Sequence, residues 1–208
     1  MTVEEFIARY PRLWHMAEAG AWSSIRTRGL LSTTALLDLF EIRGPERFAL
    51  ESCRRPSSVP ITHPDHGTAV IRDNKPLLET VLKRTLVGMT PREWYETLNG
   101  RVFFWLSEKR MEKLRNAPHN RDRKHDILVM DTRTLVTHHR EGITLSPINS
   151  GAVHPGARHP RGIGTFAPFE EYPWTERIRK RSREPVVELA VDYSVPDILA
   201  YVLDVLRR

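Results

Sequence analysis

The sequence predicts an α+β fold, because short strand-like runs are scattered among helix-like segments without the regular alternation of a doubly wound sheet. Runs such as Arg101-Val102-Phe103-Phe104-Trp105-Leu106-Ser107 and Pro185-Val186-Val187-Glu188-Leu189-Ala190-Val191 are short, apolar and rich in β-branched and aromatic residues. The C-terminal stretch instead repeats Val195, Ile198, Leu199, Val202, Leu203 and Leu206 at helical spacing.

Taken in order, helix is expected over Val3–Arg9 and a strand over Leu13–Met16. A second helix over Glu18–Arg28 is stopped by Gly29, ahead of the apolar Leu30-Leu31 pair. Helices follow over Thr33–Phe40 and Pro45–Cys53, a strand over Thr68–Ile71, and helices over Lys75–Leu86 and Pro91–Leu98. The aromatic run supplies a strand over Val102–Leu106, followed by helix Glu108–Asn116, strand Asp126–Met130, helix Thr132–His138 and strand Ile143–Ser146. Pro155, Gly156, Pro160, Gly162 and Gly164 mark a loop, after which helix Thr175–Arg181 and strand Val186–Val191 are expected. A final helix runs to Leu206, with Pro196 in its first turn.

With 208 residues the chain can bury one sizeable core, and residues 1–208 are read as a single domain with a basic loop at about 151–183. No run approaches the roughly 18 consecutive apolar residues of a membrane span, and no basic-then-apolar secretory pattern opens the chain. The single Cys53 excludes an internal disulfide and a multi-thiolate metal site, so a cytoplasmic protein is expected. Arg and Lys outnumber Asp and Glu by 32 to 26, giving a formal charge of +6. A pI near 9.8 favours polyanionic partners. From His154 to Arg183 there are seven Lys and Arg against three acids, a local excess that reads either as a phosphate contact or as a solvated loop. No Gly-x-Gly-x-x-Gly or Walker-type phosphate loop occurs, and the nine histidines fall in no zinc spacing, so no metal is expected. Asn149 and Ser150 read as turn formers.

Glu188 is the most informative residue. A carboxylate is costly to bury unless it is paired, so one placed among valines and leucine in a strand-like run either points outward from an edge or serves chemistry. His15, in Leu13-Trp14-His15-Met16-Ala17, reads by itself as a satisfied core or capping histidine.

Together, His15, the Gly29-Leu30-Leu31-Ser32 turn, the Arg101–Ser107 strand and the Glu188 strand resemble the ordered landmarks of ADP-ribosyltransferases, most closely the DarT-type enzymes that modify nucleic acids. The resemblance covers most of the chain through short motifs. It implies an ADP-ribosyltransferase-like fold, with a central split, mostly antiparallel sheet flanked by helices. It also implies NAD as substrate, a nucleic-acid base of DNA or RNA as acceptor, a toxin or defence role in a bacterium, and a neutralising partner protein.

By the same resemblance Glu188 and Arg54 are the catalytic residues, and His15, Gly29, Leu30, Ser32, Arg101, Phe104 and Trp105 hold NAD. Glu188 would stabilise the positive charge that develops on the ribose, and His15 would position the adenosine-side ribose. Phe103, Phe104 and Trp105 alternate faces, so one face packs the core and an aromatic on the other can stack on nicotinamide. Two departures stand out. Relatives carry a hydroxyl residue two places after the histidine, where this chain has Ala17, leaving Ser32 or Thr33 to replace that contact. The phosphate-binding arginine is not fixed by the motifs: besides Arg54, the residues Arg55, Arg72 and Arg101 qualify by charge. Two rivals remain, an RNA 2'-phosphotransferase-like enzyme, which needs no strand glutamate, and a non-catalytic nucleic-acid-binding protein.

Overall fold

The computed structural model describes residues 1–179 and 184–208. Helix α1 (Val3–Arg9) begins with a capping box, in which Thr2 and Glu5 each bond the other's backbone amide. It leads into β1 (Arg12–Glu18), the short α2 (Trp22–Arg28) and β2 (Leu30–Leu31). Helices α3 (Thr33–Leu39) and α4 (Gly44–Glu51) precede a hairpin of β3 (Val59–His63) and β4 (Gly67–Ile71). Next come α5 (Glu79–Thr85), β5 (Leu86–Val87), α6 (Pro91–Asn99) and the aromatic strand β6 (Arg101–Trp105). Then follow α7 (Glu108–Arg115), β7 (His125–Asp131), α8 (Thr132–His139) and β8 (Ile143–Ser146). Short β9 (Arg161–Gly162) and β10 (Ala167–Pro168) interrupt the basic loop, and α9 (Trp174–Arg179) closes it. The chain ends with β11 (Glu188–Asp192), β12 (Ser194–Val195) and β13 (Val202–Arg207).

Seven strands form one antiparallel sheet in the order β10-β8-β11-β6-β1-β7-β13. Its centre is split. β1 is in register with β7 along its whole length and β6 with β11 along its whole length, yet β1 and β6 meet only where Trp14 faces Trp105. Beyond that point the two strands diverge. One face of the sheet carries the main core, in which Leu13, Val102, Phe104, Leu128 and Leu189 pack against Phe6 of α1, Leu135 of α8 and Trp174 of α9. On the other face α7 covers Trp14, Met16, Trp105 and Ile127, while Trp94 of α6 and Leu82 of α5 belong to the cluster that includes Phe103. A third cluster joins α3 and α4 to the β3–β4 hairpin through Leu37, Phe40, Leu50, Ile61 and Ile71. The α+β expectation therefore holds as a large antiparallel sheet flanked by helices.

The largest departure lies at the C-terminus, where the expected helix is replaced by β12, a single turn at Ile198–Ala200, and β13 on the sheet edge. β13 carries a bulge between Val202 and Asp204 in its register with β7. A bulge places an extra residue in one strand, so half-buried Val202 and Val205 recur at a spacing of three and imitate helical periodicity. The stripe does not share one face: Val195 and Ile198 are buried, whereas Leu199 and Leu203 are 62% and 56% exposed. Two other helices are shorter than expected: β1 extends to Glu18, so α2 starts only at Trp22, and α5 starts at Glu79. The expected helix Thr175–Arg181 is seen to Arg179, its last two residues lying outside the described residues. Among the described residues no helix is long and apolar enough to cross a membrane.

Candidate functional site

Where β1 and β6 part, a cleft of about 560 Å³ opens, within the range of small-ligand pockets. His15 stands at the split. Its ring is half-buried, and Nδ1 donates to the Phe103 carbonyl on β6 at 2.9 Å. A carbonyl only accepts, so that bond fixes the neutral tautomer with the proton on Nδ1 and leaves Nε2 as an acceptor. Burial, helped by the nearby Arg72 charge, holds the imidazole down to about 4 despite the carbonyl's opposing pull. His15 is therefore neutral at physiological pH, with Nε2 able to accept a hydrogen bond.

Glu188 lies opposite Trp105 on β6 and Ser146 on β8, so its side chain shares the cleft face with Trp105. It is only 4% exposed. Its Oε2 accepts from the Ser150 amide at 3.0 Å, and no arginine bridges it among the described residues. Burial pushes this carboxyl up to about 7, while the Ser150 bonds and the charges of Arg110 and Arg161 pull the other way. The β1 and β11 strands flank β6, which separates His15 from Glu188 by two strand spacings, about 10 Å. The two residues thus occupy different ends of one cleft, as an elongated ligand requires.

The Gly29–Ser32 turn forms part of the wall. Gly29 caps α2 with its amide on the Ile25 carbonyl and has φ +84°. A Cβ there would lie 2.5 Å from the Pro196 backbone, so the β2–β12 ribbon can pass only a glycine. Leu30 is core, and Ser32 caps α3 by accepting from the Ala35 amide. Ala17 is buried, while Thr33 lines the cleft and can supply the hydroxyl that Ala17 lacks.

Four arginines line the cleft, and three are already committed. Arg55 is buried and donates to the Leu50 and Arg72 carbonyls and to Asn99. Arg72 ties β4 to β1 by donating to the Met16 carbonyl at 2.9 Å and to Asn120, and it pairs with Glu18. Arg101 pairs with Asp192, donates to the Thr97 carbonyl and lies over the Phe166 ring. Arg28 has no acidic partner among the described residues and, unlike buried Arg55, is not spent on backbone carbonyls, bonding only Ser24. It stands beside Gly29 in the turn that the motifs mark, where its place as the last residue of α2 gives no sequence signal of its own. Ser150, read as a turn former, proves to be the hydrogen-bond donor to Glu188.

The structure thus gathers His15, Gly29, Leu30, Ser32, Arg101, Trp105 and Glu188 around one cleft. It does not bring Arg54 or Phe104 there. Arg54 is turned away, its guanidinium donating to the Leu77 and Lys75 carbonyls. Phe104 is fully buried in the main core because strand alternation puts Phe103 and Trp105, not Phe104, on the cleft side. In the basic stretch Arg161 is also inward: it is 4% exposed and donates to the His159 and Ala152 carbonyls, whereas Arg158 is exposed. Lys180, Arg181 and Arg183 lie outside the described residues.

Fold and site together define an α+β protein whose split antiparallel sheet holds a ligand-sized cleft between a neutral histidine and a buried glutamate. The chain belongs to the family of unknown function DUF7002, whose model matches residues 11–202. No curated protein and no solved structure matches it.

Proposed function

We propose that the protein transfers ADP-ribose from NAD to an acceptor, most simply a nucleic-acid base. The observation that carries this reading is the placement of Glu188, a buried carboxylate with no arginine partner among the described residues, across a ligand-sized cleft from His15 Nε2, which bonds none of them. Such a carboxylate is expensive to keep, and a transition state that develops positive charge gives it a use.

In this reading His15 Nε2 accepts a ribose hydroxyl and Arg28 meets the diphosphate, so the dinucleotide lies along the split. Trp105 offers a half-buried ring to the nicotinamide end. The bond between nicotinamide and the ribose C1' breaks and its electron pair leaves with the neutral nicotinamide. Ionised Glu188 stabilises the oxocarbenium-like ribose, held in place by the Ser150 amide. A lone pair of the acceptor then forms the new bond to C1', and the proton it sheds passes to Glu188 or to water.

The test is incubation with labelled NAD and a panel of DNA, RNA, protein and small-molecule acceptors, with Glu188→Gln in parallel. Label transfer that falls about a hundredfold or more in the variant supports the reading. An absence of NAD turnover with every acceptor, or full activity in the variant, would sink it. NAD-dependent removal of the 2'-phosphate from a 2'-phosphorylated RNA would point to the phosphotransferase instead.

A further inference from the structure

A second depression, of about 680 Å³, lies beside the cleft and shares its rim at Ala19, Gly20 and Ser23. Its floor and edges bring together Arg26 of α2, Lys124 just before β7, and Arg207 and Arg208 at the end of β13. These residues are remote in sequence. The sheet gathers them because β13 runs antiparallel to β7, placing Arg207 opposite Asp126 and Arg208 in mutual backbone bonds with His125.

The four cations are exposed, and the acids nearby are already engaged. Asp126 is buried and accepts from the Trp22 amide. Glu18 holds Arg72 and Arg123, and Glu112 holds Arg115 as well as Arg208. Among the described residues, Arg26, Lys124 and Arg207 take part in no ion pair. Like charges gathered without compensation repel one another and weaken the fold, so an anionic partner that neutralises them is the natural complement.

We infer that this depression is a nucleic-acid phosphate site, and that a bound strand runs from it over the Ala19–Ser23 rim into the cleft. The concavity and its continuity with the cleft favour a polynucleotide over a flat anionic membrane. Four strand spacings, about 19 Å, separate β13 from β11, so a strand holding its phosphates on Arg26, Lys124 and Arg207 presents a base a few nucleotides further along to the space beside Glu188. This path differs from the 151–183 loop, whose Arg161 is buried. The phosphate site is read by binding alone, whereas its delivery of a base to the cleft rests on the transfer reading above.

The experiment measures anisotropy of labelled single-stranded DNA, duplex DNA and RNA against salt, for the full chain and for the triple variant Arg26→Gln/Lys124→Gln/Arg207→Gln. Because these side chains are exposed and repel one another, the variant should melt no lower than the wild-type chain. Its single-strand binding should lose about two units of the slope of log affinity against log salt, since each neutralised phosphate contributes about 0.7. A control of equal charge change, Arg43→Gln/Arg84→Gln/Arg158→Gln, should lose much less. The inference is overturned if the wild-type chain binds no oligonucleotide at low salt, if the control loses as much slope as the triple variant, or if phosphatidylserine vesicles compete better than oligonucleotide for the same three side chains. NAD consumption without acceptor should be unchanged in the triple variant. A chain that binds as expected but never consumes NAD would sink the transfer reading and leave the phosphate site standing, and the converse result would do the opposite.

Discussion

At the scale of single residues, the site works by opposing environments on two titratable groups. Glu188 sits near 7 and His15 near 4, so around neutral pH the first is poised between forms and the second is fully neutral. Only the ionised carboxylate stabilises a positive ribose. In the transfer reading kcat/KM for NAD should therefore rise with pH through an apparent pKa near 7, and Glu188→Gln should flatten that limb as well as lower it. A profile that falls through the same range would assign Glu188 the role of a proton donor instead. Arg28 gives a separate readout. Arg28→Gln removes a cation that bonds only Ser24, so the fold should survive and KM for NAD should rise about tenfold with little change in kcat. Initial-rate kinetics on the purified variant check this, and an unchanged KM would return the diphosphate contact to Arg72 or Arg101.

At the scale of elements, the cleft depends on the β2–β12 ribbon, and Gly29 allows that ribbon to close. Two glycines separate the contributions of backbone and contact. Gly20 has φ +81° with open space where a Cβ would go, whereas Gly29 has φ +84° with Pro196 and Val195 backbone in the way. Gly20→Ala should cost about 1 kcal/mol of left-handed strain, and Gly29→Ala about 2 to 4 kcal/mol, because the ribbon must also shift. Urea midpoints measure both, and equal losses would mean that the close approach relaxes freely. The sequence made the strands bearing His15, Phe103 and Glu188 legible because short β-branched and aromatic runs have few other uses. It also pointed to the Gly29 turn, whose glycine stops a helix. The rest depended on information that local periodicity does not carry. The bulge in β13 counterfeited a helix, and the face assignment of Phe104 required the register of β6 against β11. Arg54 and Arg28 carry the same charge, and only the fold decides which of them reaches the cleft.

At the scale of the whole molecule, the two ends of the cleft bend the stability curve in opposite directions. The folded protein holds the Glu188 proton more tightly than the unfolded chain does, since its carboxyl moves from 4.5 up to about 7. Stability from this group is complete below pH 4.5 and is lost as pH rises through 7, at a cost of about 3 kcal/mol above that. His15 runs the other way. Its imidazole moves from 6.5 down to about 4, so the unfolded chain binds the proton first and stability is lost as pH falls from 6.5 to 4. Between pH 4.5 and 6.5 the two slopes nearly cancel, and the wild-type chain should show little pH dependence from this site. Glu188→Gln removes one of them while keeping an acceptor for the Ser150 amide. The variant should match the wild-type melting temperature near pH 4.5 and exceed it by about 8 °C at pH 8, from about 3 kcal/mol in a chain of this size. Scanning calorimetry at both pH values decides the matter. A carboxylate kept at that cost to stability, and whose removal abolishes turnover, is held for function. A variant that melts lower than wild type at pH 8 would instead make Glu188 a stabilising member of the fold, and the cleft would lose its strongest claim to chemistry.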